Sequence, residues 1–175
     1  MKLGAIAFVT LGGAKGNTVL TRGALTSNAD IAKNVEALKA QHGEHVYALR
    51  SFVDKDGNEV IYEIITPVAL AAEPGTQMAR VEYWRMLPHV RPLFPKFDDG
   101  AEVDKSQYRL AGVLIVPEDD AVRHATDYTD LPDLRWNPAG DSYACTAGDV
   151  FVVSSPQGVQ AHALESFGRK KVIFQ

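Results

Sequence analysis

An α+β fold, with an N-terminal strand–helix–hairpin unit and a β-rich C-terminal half sharing one core, follows from three features of the sequence. One segment with a capping residue has helical periodicity, several short runs are rich in β-branched and aromatic residues, and prolines rather than long linkers divide the chain. The 175 residues lie near the usual single-domain size of ~100–150, so residues 1–175 are read as a single α+β domain. With 46% hydrophobic and 23% charged residues, the chain can build a core that needs neither metal nor disulfide to hold it.

The elements follow in order. Residues 5–11 are a short apolar run, read as a buried strand, and the Gly-rich stretch 12–17 turns the chain toward a second strand over 18–25. Ser27 or Asn28 can cap a helix whose Ile31, Val35 and Leu38 share one face, and Gly43 supplies its stop. Residues 46–53 and 59–66 read as a β-hairpin around Asp54-Lys55-Asp56-Gly57-Asn58. Residues 69–75 are a small-residue connection. Met78, Val81 and Trp84 are spaced to suggest a second helix over 76–87. Pro88, Pro92 and Pro95 then exclude regular structure through Lys96. A strand is expected over 108–116, followed by an acidic excursion over 118–141 holding at most one short helix. The chain ends as a meander over 143–146, 150–153, 159–164 and 171–174.

Composition excludes several function classes. The net charge of −4 and scattered basic residues, of which Arg169-Lys170-Lys171 is the longest run, argue against general nucleic-acid binding. No apolar stretch approaches the ~20 residues that span a bilayer. The N-terminus resembles a short signal sequence but passes into a Gly-rich turn, so it is read as the first strand. The lone Cys145 allows no intramolecular disulfide, which suits a reducing, cytoplasmic setting.

Candidate chemistry is sparse. The Gly12 to Thr18 loop has anion-cradling ingredients but lacks the Gly-Lys-Ser/Thr run of a P-loop, so a hairpin turn accounts for it. Asp54, Asp56 and Asn58 begin like a calcium loop, yet Ile65 stands where the twelfth-position carboxylate belongs. His42 and His45 straddle a helix-ending glycine, and Glu118-Asp119-Asp120 with Asp127, Asp130 and Asp133 have no ligand spacing, so no metal site and no cofactor are expected. Cys145, with His124 and His162 distant in sequence, reads as a buried inert thiol.

The hairpin carries the one proton-handling constellation, with Tyr47 on its first strand and Glu59, Tyr62 and Glu63 on its second. A carboxylate shielded among phenols can acquire a raised pKa. The order strand, capped helix, hairpin with tyrosine then glutamate resembles the small phage enzymes that cleave S-adenosylmethionine. Phe167-Gly168-Arg169-Lys170 also resembles the end of one branch of them. The resemblance implies a trimeric lyase with Tyr47 and Glu59 beside its substrate. It covers about a third of the chain and stops after Pro67, where the proline-rich and acidic segments replace the expected ending.

The residues favour a different class: a non-catalytic binding or assembly protein, a homo-oligomer or a subunit of a larger particle. The run 87–97 cannot use regular backbone pairing, yet presents Leu93 and Phe94 beside Arg91, residue types suited to contact with another protein. The expected partner is a protein, by self-association, and the expected partner-binding residues are Arg91, Leu93 and Phe94.

Overall fold

The computed structural model describes residues 2–10, 18–24, 27–53, 60–129 and 145–175. It contains one ten-stranded mixed sheet and three helices, so the protein is mostly β. The strands are β1 (Lys2–Thr10), β2 (Thr18–Gly23), β3 (Val46–Val53), β4 (Val60–Ile65), β5 (Met78–Met86), β6 (Ala101–Val103), β7 (Tyr108–Pro117), β8 (Val150–Ser155), β9 (Gly158–Glu165) and β10 (Gly168–Phe174). Their order across the sheet is β2-β1-β3-β4-β7-β5-β8-β9-β10-β6. The N-terminal and C-terminal halves meet where β4 pairs in parallel with β7, through Glu63, Ile64 and Ile65 opposite Val113, Leu114 and Ile115.

Helix α1 (Asn28–His42) forms where the sequence places it. The Ser27 hydroxyl accepts the Asp30 N–H at 3.1 Å, and the Gly43 N–H donates to the Lys39 carbonyl at 2.8 Å. Gly43 stops the helix at φ +95°, a conformation costly for residues with a Cβ. Ile31 and Val35 are buried with Ile6, Phe8, Val46, Ala48 and Ile65, and Leu38 lies half-buried at the margin. A short helix, α2 (Pro67–Leu70), opens on Thr66, whose hydroxyl accepts the Ala69 N–H and donates to the Ile115 carbonyl at 2.7 Å.

Helix α3 (Ala121–Thr129) lies in the acidic excursion and covers the opposite face. Ala121, Val122 and Ala125 pack there on Ala79, Val81, Tyr83, Leu114, Val116 and Phe151. A third apolar cluster, around Met86, Tyr108, Val150, Ala163 and Val172, fills the C-terminal end of the sheet.

The helix expected over 76–87 is instead strand β5, near the middle of the sheet. The spacing of Met78, Val81 and Trp84 suggested a helical face, but Ala79, Val81 and Tyr83 alternate with Arg80, Glu82 and Trp84, and only the first set is buried. Pairing with β7 on one side and β8 on the other satisfies the backbone along its length, so tertiary pairing overrode the local periodicity. Four short elements were missed: the edge strand β6, the four-residue α2 and single 3-10 turns at Lys105–Gln107 and at Pro88–Val90. The last of these forms within the run expected to be irregular, because Pro88 is tolerated in a first helical turn. Residues 145 and 146 of the expected strand over 143–146 are irregular, and its start lies outside the described residues, as do the turns at 12–17 and 54–58. The stretch after the first turn is strand β2, not the helix that a P-loop requires.

The packing of α1 gives an ordering of substitutions. Ile31→Ala, at a fully buried position, should cost ~2–5 kcal/mol in denaturant unfolding, and Leu38→Ala, at a half-buried one, should cost less. Equal losses at the two positions would show that the helix is seated differently.

Candidate functional site

The proline-rich run is held to the sheet by one buried carboxylate. Asp149 stands directly before β8 with no exposed surface. Its Oδ2 accepts the Tyr83 hydroxyl at 2.7 Å and the Thr146 N–H at 2.9 Å. Its Oδ1 accepts the Met86 N–H at 3.1 Å and Nη2 of Arg91 at 2.5 Å. A carboxylate taken from water is tolerable only when paired and hydrogen-bonded in this way. Burial, and then the Asp149 charge, drive the Tyr83 phenol far above its ordinary range. The same two causes, partly opposed by Arg91, push Tyr108 up to about 12.

Arg91 completes the anchor. Nη1 donates to the Thr146 hydroxyl at 2.7 Å and to the Ala147 carbonyl at 2.5 Å, and Nη2 also donates to the Met86 carbonyl at 3.0 Å. Arg91 was expected to face a partner; the structure turns it inward, because its fork of donors meets the Asp149 carboxylate and three further oxygens. Gly148 makes the close approach possible. Its φ of +98° suits glycine, and a Cβ there would stand 3.2 Å from Pro95 Cγ and 3.3 Å from both Arg91 Nη1 and Met86 Cε.

Between these anchors the chain bulges into water. Pro95 is buried, while Leu93 is 86% and Phe94 71% exposed. Two further contacts set the position of the run: the Phe97 N–H donates to Glu165 Oε1 at 2.9 Å, and the Gly148 N–H donates to the Leu164 carbonyl at 2.8 Å. The run therefore lies beside the β9–β10 turn, whose tip carries Phe167, 99% exposed.

Of the hairpin constellation, the side chains of Tyr47 and Glu63 fall among the described residues. Tyr47 borders a cleft of about 220 Å³ between α1, α2 and β3, together with Glu36, Lys39 and Leu70. Glu59 lies outside the described residues, as does the side chain of Tyr62. Glu63 is buried and accepts Arg80 Nε at 2.6 Å; Arg80 Nη1 donates to Glu82 Oε1, and Trp84 Nε1 donates to Glu82 Oε2 at 2.8 Å. Burial works against the Arg80 charge, but the hydrogen bonds and charges of Glu82 and Glu63 outweigh it and raise its pKa. These groups satisfy one another and so form a cross-strand ion-pair network. Among the described residues no three His, Cys, Asp or Glu side chains gather as a metal site, and no helix is long and apolar enough to cross a membrane. Cys145 is partly buried against the α3-covered cluster and borders a cavity of about 590 Å³ with Thr126, Asp127 and Arg169.

Sequence reasoning missed Asp149. Its only local sign is a single acid between Gly148 and the apolar start of β8, and its donors come from positions 83, 86, 91 and 146. No protein-family model matches the chain, and no curated protein or solved structure matches it.

Two outcomes follow from the anchor. Arg91→Ala leaves Asp149 buried without its ion-pair partner and should cost roughly 3 kcal/mol, read as a lower denaturant midpoint; an unchanged midpoint would mean that water replaces the guanidinium freely. The raised folded-state pKa of Tyr108 gives a stability contribution present below ~10, the unfolded value, and lost as pH rises toward about 12. Denaturant stability should thus decline over that interval, and Tyr108→Phe should flatten the decline.

Proposed function

We propose that this chain is a non-catalytic binding or assembly protein that associates with further copies of itself through the loop displaying Leu93 and Phe94. The observation that carries the reading is the exposure of these two large apolar side chains between a pinned Arg91 and a buried Pro95. Each would gain on leaving water, at ~25 cal/mol per Å² of apolar surface. The anchors and the prolines reduce the conformational entropy that docking costs. Phe167, on the turn whose Glu165 holds the Phe97 N–H, is a further exposed apolar side chain that such a contact can use. Arg91 acts in this reading by holding the loop, not by touching the partner.

A second reading, a small-molecule lyase resembling the phage S-adenosylmethionine-cleaving enzymes, is favoured by one observation. Tyr47 borders the cleft beside α1.

Replacing Leu93 and Phe94 together by Ser should lower the particle mass in light scattering while circular dichroism stays unchanged, because neither side chain supports the core. A wild type that remains monomeric from micromolar to millimolar concentration would overturn the proposal. So would a double variant that assembles as the wild type does.

A further inference from the structure

A second site lies on the α3-covered face, away from the displayed loop and independent of it. A cavity of about 290 Å³ opens between the start of α3 and the strands β8, β9 and β10. Val153, Ala121 and Val122 form its apolar part, while Gln160, His162, Arg169, Lys171 and Glu118 supply its polar groups. The clustering follows from register: His162 is directly opposite Lys171 on β10, and Arg169 stands two residues from Lys171 on the same side of that strand. His162 is mostly buried, and that burial, followed by the charges of Arg169 and Lys171, lowers its pKa and favours the neutral ring.

The feature without an internal explanation is Glu118. Its backbone N–H is fixed to the Gln77 carbonyl at 2.9 Å. Its Oε1 is buried and has no hydrogen-bond partner among the described residues. A buried acceptor left unmade is unfavourable and uncommon in native structures. Arg169 does not relieve it, since that guanidinium reaches toward Asp120 at 3.5 Å. The cavity is thus lined by two permanent cations, by amides and by the residue that carries this buried, unmatched acceptor.

We infer that this cavity binds a small zwitterion of amino-acid size, its anionic group facing Arg169 and Lys171 and its ammonium group donating to Glu118. A simple anion would satisfy the cations and leave Glu118 unmatched; a simple cation would meet two like charges. The volume lies at the lower limit of the ~300–1,000 Å³ typical of small-molecule pockets, which suits a compact ligand.

L-aspartate and succinate test this directly, because they share a four-carbon dicarboxylate and differ by the ammonium group. In two-dimensional amide NMR, aspartate should give saturable shifts at Gln160, His162 and Lys171, with succinate weaker by about tenfold or more. Glu118→Gln should remove most of that preference, and Lys171→Ala, at an exposed position that the fold does not need, should weaken both probes. Absence of saturable shifts with aspartate, or equal binding of the two probes by the wild-type protein, overturns the inference. Neither result bears on the oligomeric state, so this site and the loop stand or fall separately.

Discussion

The buried Asp149 carboxylate is the constraint on which the C-terminal half is organised. A charge without water must be surrounded by donors, and those it collects come from β5, the proline-rich run and the turn before β8. Meeting this demand orients Tyr83 within the core and closes the run onto the sheet. Arg91 can reach the carboxylate because glycine at position 148 leaves room, while the Tyr108 hydroxyl caps the Gly148 carbonyl at 3.0 Å. One electrostatic requirement thereby determines which part of the run is pinned and which part is displayed.

The sheet itself solves a second problem, that of exposed edges. Among the described residues the ten strands end in two borders, and sheet borders invite pairing with other chains. One border is β2, and the other is β6, only three residues long and joined in parallel to β10 through Ala101, Glu102 and Val103. Charged residues also sit near the middle, where Glu63 on β4 and Arg80 and Glu82 on β5 flank the intervening β7. They are tolerated because Arg80 pairs with Glu82 along its own strand and reaches Glu63 past β7, so the charges neutralise one another. The cation of Lys105 lies 4.4 Å from the Trp84 ring centroid and covers part of the aromatic end cluster.

The two candidate sites differ in how much of them the sequence revealed. Leu93 and Phe94 stood out because apolar residues among prolines cannot join a strand or helix, a local property of the chain. Whether Arg91 faced a partner or the core was not local, since its carboxylate lies 58 positions away. The Glu118 cavity was invisible for the same reason: its residues come from the end of β7, the start of α3 and three later strands. Taken as sequence, Glu118-Asp119-Asp120 reads as solvated acid. Folding buries one oxygen of the first.

By itself the sequence determined the elements whose signals are short-range. Helix α1 was legible from Ser27 to Gly43, because a capping hydroxyl, a periodic apolar face and a glycine stop act within a few residues of one another. The strands of the first hairpin and of the C-terminal meander were legible from β-branched runs broken by turn residues. Only the tertiary structure decided that residues 78–86 form a strand flanked by β7 and β8, since Met78, Val81 and Trp84 satisfy a helical period while the alternation of Ala79, Val81 and Tyr83 satisfies a strand. It also decided the parallel junction of β4 with β7 and the company that Asp149 keeps. These are pairings between residues far apart in the chain, and their energies come from burial and from donors that local sequence does not contain.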